Sequence, residues 1–103
     1  MAKILFFVSY EIDPNKRGEY LDSIKEYKSL IKTEGLLNYS LLEEKGKSNK
    51  FREIFEFESE EAFDDFDDAG NERLSLLNRK LESLKIAKST KSRIVVFDLN
   101  ILA

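Results

Sequence analysis

The spacing of apolar residues changes several times along this 103-residue chain, and each change marks an element. In KILFFVSYEI, Lys3 to Ile12, every even position is apolar. Aromatic and β-branched side chains in a run of this length predict a strand, because they pack well on a pleated surface. Asp13-Pro14 ends it and opens a helix: Asp13 offers a capping carboxylate, and Pro14 suits a first turn, where a missing N–H costs nothing. Tyr20, Ile24, Tyr27 and Ile31 then recur on one helical stripe, widened by Leu21 and Leu30, with polar residues between. This predicts a helix running to Thr33-Glu34, with Gly35 as its C-terminal cap.

LLNYSLLEE (Leu36 to Glu44) and FREIFEFE (Phe51 to Glu58) flank a polar turn containing Gly46 and predict a β-hairpin with a longer loop. In FREIFEFESEEAFDDF the rings then move from even spacing to a spacing of three at Phe63 and Phe66. Ser59 is the predicted junction: its hydroxyl can cap a helix whose first residues, Glu60 and Glu61, favour the positive end of the helix dipole. After Gly70-Asn71, Leu74, Leu77, Leu81 and Leu84 repeat at helical spacing and predict a further helix to about Lys88. A polar linker leads to a last strand, RIVVFDLNI, from Arg93 to Ile101. The order βαββααβ is a ferredoxin-like α+β pattern: a four-stranded antiparallel sheet with its helices on one face, in one domain spanning residues 1–103.

Helices on one face leave the other face to water, and a solvated face should be polar. Here Leu5 and Phe7 are apolar on the odd side of the first strand, and in the last strand Val95, Phe97, Leu99 and Ile101 make one apolar face while Ile94 and Val96 occupy the other, the face of Leu5 and Phe7. With Leu36, Leu42 and Ile54, these residues predict a second apolar face, of the kind that marks an interface. The expected partner is a second copy, packed sheet to sheet and burying roughly 1,600 Å². Asn38, Ser40, Arg52 and Glu56 share that face, with a candidate pairing to the partner's Asp98.

Composition narrows the chemistry. The chain has no histidine and no cysteine, which removes the commonest general base and the thiolate metal ligands. A net charge of −3, with 36% charged residues of both signs, argues against a nucleic-acid surface. The longest apolar runs are too short to span a bilayer, and the start carries no signal-peptide pattern, so a cytoplasmic location without membrane contact is expected. The acids Glu58, Glu60, Glu61, Asp64, Asp65, Asp67 and Asp68 lack the ordered ligand spacing of a calcium loop and read as a solvated helix face.

DPNKRGEYLDSI, TEGLLNYSLLEE and FEFESEEAF, in this order, resemble the helix opening, second strand and strand-to-helix join of the dimeric α+β-barrel proteins, in particular the antibiotic-biosynthesis-monooxygenase (ABM) domain family. The resemblance covers nearly the whole chain and implies a homodimer with a pocket between sheet and helices in each subunit. Activities it implies include cofactor-independent oxidation of aromatic polyketides and haem degradation, but the latter relies on Asn, Trp and His, and this chain has no Trp, no His and no Asn in its first strand. Other departures concern the site: Phe57 stands where the family has Trp, Phe66 falls near its usual histidine, and Phe55 replaces a frequent glutamate, with Glu53 the nearest acid on that face.

Glu53 shares its strand face with Phe51, Phe55 and Phe57, a carboxylate in a row of rings. Burial there would raise its pKa and suit it to exchange protons, whereas a position near the strand start would let it reach solvent or a cation. Tyr10, Tyr27 and Tyr39 are placed to line the same pocket or to tie down the core. Expected ligand contacts are Tyr10, Tyr27, Tyr39, Phe55, Phe57 and Phe66, and the candidate proton carriers are Glu53, Tyr39 and Tyr10, with no metal and no cofactor. Three functions stay open: an aromatic-binding dimer, a cofactor-independent monooxygenase, and a non-catalytic assembly module.

Overall fold

The computed structural model describes residues 3–67 and 71–97. Its order is β1 (Lys3–Glu11), a short 3-10 turn (Pro14–Lys16), α1 (Arg17–Leu30), β2 (Leu36–Glu43), β3 (Lys50–Phe57), α2 (Glu60–Asp67), α3 (Glu72–Leu84) and β4 (Lys91–Phe97). The strands form one antiparallel sheet in the order β2-β3-β1-β4, so the fold is the ferredoxin-like α+β arrangement. Local capping starts the 3-10 turn that leads into α1, and also α2 and α3. Asp13 accepts from the Asn15 N–H at 2.9 Å, Ser59 from Ala62 at 3.1 Å and Asn71 from Leu74 at 3.1 Å, each satisfying a donor that the first helical turn leaves free.

Three boundaries differ from the sequence pattern, each because tertiary structure captures the chain. Helix α1 ends at Leu30, short of Thr33-Glu34, where Ile31 leaves the helix with ψ near 1°. Gly35, at φ +93°, turns the chain into β2 instead of capping α1. A Cβ at Gly35 would lie 2.6 Å from the Ala62 Cβ, so α2 packs directly on this glycine. Helix α3 ends at Leu84, well before Lys88, because the sheet claims the next residue: Lys85 is extended and bridges Ile12, while the Asp13 N–H donates to the Leu84 carbonyl at 3.0 Å. Strand β4 begins at Lys91, two residues earlier than Arg93, where Lys91 pairs with Ser9. Its expected continuation to Ile101, with Asp98, lies outside the described residues.

Register decides the two faces. Ile4, Phe6, Val8 and Tyr10 share the helix side with Phe57, Phe55, Glu53 and Phe51, their direct partners across β3. Leu5 and Phe7 point the other way, level with Val95 and Ile54 respectively. Leu36 is a correction to the expected outer patch: it pairs with Phe57 on the helix side and packs on the core, because a bulge between Leu36 and Asn38 shifts the register. The remaining outer face carries Leu5, Phe7 and Ile54 half-buried, with Leu42, Val95 and Phe97 exposed. The faces of β4 are a second correction: Ile94 and Val96, expected on the outer face, lie level with Phe6 and Ile4 on the helix side, while Val95 lies level with Leu5 on the outer face, because antiparallel pairing with β1 sets which residues stand side by side. Strand β4 is also uncovered on the helix side, where Ile94 is 56% exposed.

Candidate functional site

Beneath α1 the core changes from hydrocarbon to oxygen. Glu53 comes from the middle of β3 and is 7% exposed. Alternation forces it inward with Phe51 and Phe55, and its directly opposed neighbours are Val8 on β1 and Leu41 on β2. Tyr10, diagonal to it on β1, donates to Glu53 Oε1 at 2.5 Å. The Tyr10 hydroxyl also meets that of Tyr20 from α1. A phenol has one proton, and Tyr10 gives its own to the carboxylate, so Tyr20 is the donor in the second bond. The result is a buried chain from Tyr20 through Tyr10 to Glu53.

Two further groups bear on the carboxyl. The Tyr39 hydroxyl of β2 is buried beside Glu53 and feels its charge; it is directed at the carboxyl but does not reach full hydrogen-bond geometry. Lys85 places its ammonium 4.1 Å above the Tyr10 ring, and its charge opposes the effect of burial on Glu53. Burial nevertheless dominates and raises the Glu53 pKa above the ordinary carboxylate value, against the Tyr10 hydrogen bond and the Lys85 charge. Burial first, and the neighbouring Glu53 charge second, push the Tyr10 and Tyr39 phenols far upward. Burial likewise raises Tyr20. The phenols therefore stay protonated at ordinary pH and serve as donors, and Glu53 is the member of the group that can change its charge.

This sets a pH dependence of stability with two limbs. Glu53 has its pKa raised on folding, so its contribution is complete below the usual 4.5 and is lost as pH rises through the higher folded value. Glu43 is opposite: bonds from Arg17 at 2.5 and 2.9 Å and from the Asn49 N–H at 2.8 Å hold it at about 2. Its contribution is present above 4.5 and lost as pH falls toward about 2. Urea unfolding across that range should show both limbs, with Glu53→Gln flattening the upper and Glu43→Gln the lower. An upper limb unchanged in Glu53→Gln would refute the assignment.

The rings that the sequence placed near the site occupy two layers. Phe55 contacts Tyr39 and Phe57 at centroid distances of 4.9 and 6.3 Å and is 2% exposed, so Phe55 and Phe57 form the packed layer with Tyr10 and Tyr39. In front of them Tyr27 and Phe66 floor a cleft of about 810 Å³, walled by the α3 cap Asn71 and by α3 residues including Asn78, Arg79 and Glu82. Tyr39 borders a smaller recess of about 350 Å³ with Ile31 and Leu36. The cleft and the buried carboxyl are linked twice: Tyr27 meets the Tyr39 ring at 5.8 Å, and Glu82 pairs with Lys85 at 2.7 Å. On the outer face Asn38 donates to Ser40 at 3.3 Å, and Glu56 lies 3.4 Å from Lys3. Among the described residues no group of three acidic side chains is gathered to hold a metal.

Sequence reasoning overlooked Tyr20, Glu82 and Lys85 as site residues. Tyr20 was detectable as one of two phenols, seven residues apart, on a buried helix face shared with Ile24 and Ile31. Lys85 read only as a cation near a helix end, and nothing local showed that the chain would fold back along β1 there.

The molecule is thus a ferredoxin-like domain with a carboxyl and phenols joined in its core and a ring-floored cleft beside α3. The antibiotic biosynthesis monooxygenase family model matches residues 4–71, and the chain belongs to that family. No curated protein sequence matches it. Among solved structures it is similar to a conserved protein from Methanosarcina mazei Go1 (19% identity, 92% of each chain, TM-score 0.79). It is also similar to SnoaB, a cofactor-independent oxygenase from Streptomyces nogalater (15% identity, 95% of this chain and 93% of that one, TM-score 0.73). A third is a protein of unknown function from Bacteroides thetaiotaomicron, described as a possible oxidoreductase (15% identity, 93% and 98%, TM-score 0.77). At these identities the likeness is one of fold. No helix among the described residues is long and apolar enough to cross a membrane.

Proposed function

We propose that two copies of this chain pack sheet to sheet and that each binds a small aromatic or apolar molecule in the cleft beside α3. The observation that carries the ligand reading is the floor of that cleft: Tyr27 and Phe66 present ring surface, while Asn71, Asn78 and Arg79 supply polar atoms at its wall. Such a mix orients a ring with one polar edge. The outer sheet face, with Leu42, Val95 and Phe97 exposed beside Leu5, Phe7 and Ile54, supports the dimer.

Glu53 favours a second reading, a cofactor-independent oxygenase acting on a quinol or anthrone-type ring. Loss of the acidic ring proton leaves a carbanion that gives an electron to dioxygen; recombination forms a C–O bond, and the resulting hydroperoxide takes back a proton and loses water to leave the quinone. Glu53 is not in the cleft lining, so its carboxylate, which Tyr10 steadies, takes the ring proton by relay and not by direct contact. A raised carboxyl pKa brings the acceptor closer to the operating pH, where general base catalysis is most effective. Oxygen uptake with anthrone and hydroquinone substrates tests this: Glu53→Gln should slow turnover about 100-fold or more and leave binding within a few-fold, as for loss of a general base. Tyr39→Phe should have the smaller effect. Uptake no greater than in buffer removes the oxygenase reading, and absence of saturable binding by either ring removes the ligand reading as well.

A further inference from the structure

Lys85 is unusual among the lysines of this chain. Its side chain is only 11% exposed, yet it carries an ammonium that must be compensated when water is removed. Two groups do this. Glu82 accepts from Nζ at 2.7 Å, and the Tyr10 ring lies 4.1 Å below. The two have different surroundings: the Glu82 side chain is 66% exposed in the cleft wall, whereas Tyr10 is buried and donates to Glu53.

The backbone fixes this placement. Lys85 bridges Ile12, two residues beyond Tyr10 on the same strand path, and the flanking bonds from Asp13 to Leu84 (3.0 Å) and from Ile86 to Glu11 (2.8 Å) staple it there. Its early exit from α3 is thus what carries the ammonium to the tyrosine. We propose that Lys85 is a positioning residue for the Glu53 carboxyl, acting through Tyr10, and that Glu82 connects this control to the cleft. The link to the cleft rests on the reading of that cleft as a ligand site; the action on Glu53 does not.

The groups bearing on Glu53 come from every packed element: Tyr10 from β1, Tyr39 from β2, Tyr20 from α1, and Glu82 of α3 with Lys85 just beyond its end. The three phenols stay neutral through the range in which a carboxyl titrates, so among the described residues Lys85 and Glu82 bring the charges that act there. They have opposite signs. Lys85 favours the carboxylate, Glu82 opposes it, and an occupant that draws Glu82 away leaves the ammonium free to act on the carboxyl.

The test follows Glu53 directly, by ¹³C NMR of its side-chain carboxyl in the full chain across pH. Lys85→Met should raise the Glu53 midpoint by about one pH unit, the size of a single charge acting through roughly 10 Å of protein. Glu82→Gln should lower it, and Lys85→Arg should restore it. A Lys85→Met midpoint within about 0.3 unit of the parent, even with a lowered thermal midpoint, reduces Lys85 to packing and overturns the proposal. If Lys85→Met does not fold, a Glu82→Gln midpoint that fails to fall overturns it equally. Ring binding is read separately, by titrating hydroquinone into the parent protein: absence of binding defeats the cleft reading and leaves the Lys85–Glu53 shift to stand or fall alone.

Discussion

Truncating Phe55 to alanine should lower the unfolding free energy by about 3–5 kcal/mol, the range for deleting a fully buried ring. Phe55 sits at the crossing of both layers of the core. It contacts Phe6 at 5.6 Å, Tyr27 at 6.4 Å, Tyr39 at 4.9 Å, Phe57 at 6.3 Å and Phe66 at 5.7 Å between centroids. These partners come from β1, α1, β2, β3 and α2, so the cavity left by Phe55→Ala cannot close by movement of one element. Collapse is what normally reduces such a penalty. Leu76→Ala, at a side chain 57% exposed, should stay within about 0.5 kcal/mol. Urea unfolding at one fixed protomer concentration measures both, since a self-associating fold has concentration-dependent stability. A Phe55→Ala loss under about 1.5 kcal/mol would mean that this ring is not the junction of the core.

The same ring shows what the sequence made legible. Its spacing from Phe51 and Phe57 marks one strand face, and the change of period at Phe63 and Phe66 marks the following helix, so element order and the core side of β1 and β3 followed from periodicity, whereas in β4, apolar on both faces, periodicity could not tell which side Ile94 and Val96 would take. The junction at Ser59 was equally visible, because capping is a local interaction between a hydroxyl and an amide three residues away. The errors are of another kind. The end of α3 at Leu84 depends on Ile12, more than seventy positions earlier, which withdraws Lys85 into an extended bridge. The side taken by Leu36 depends on a bulge whose cause lies in pairing with β3, and a slip of one residue reverses every side chain. For the site, the carboxylate in the aromatic row was visible, but its surroundings were not. Tyr10 and Tyr20 meet it only once sheet register and helix packing are fixed, and both are long-range facts.

Placing a glutamate at Phe7 should convert the proposed dimer into a monomer, with a dissociation constant raised about 1,000-fold or more. Phe7 stands at the centre of the outer face, level with Ile54 on one side and Arg93 on the other, and one step along from Leu5, which faces Val95. Under the proposed sheet-to-sheet packing, twofold symmetry puts two such carboxylates into the same seam. Burying even one unpaired charge costs several kcal/mol, and about 4 kcal/mol already corresponds to a thousandfold change in affinity. The substitution should spare the protomer, because Phe7 is on the side away from the helices and contributes nothing to the Tyr10–Glu53 group. Sedimentation at micromolar concentration is the measurement: a particle of twice the 12.0 kDa chain mass for the parent and for Leu76→Glu on α3, and a single chain for Phe7→Glu. A parent that sediments as one chain, or a Phe7→Glu variant that remains paired, would show that the apolar outer face is not the seam. In either case the exposed Val95 and Phe97 would need a different cover.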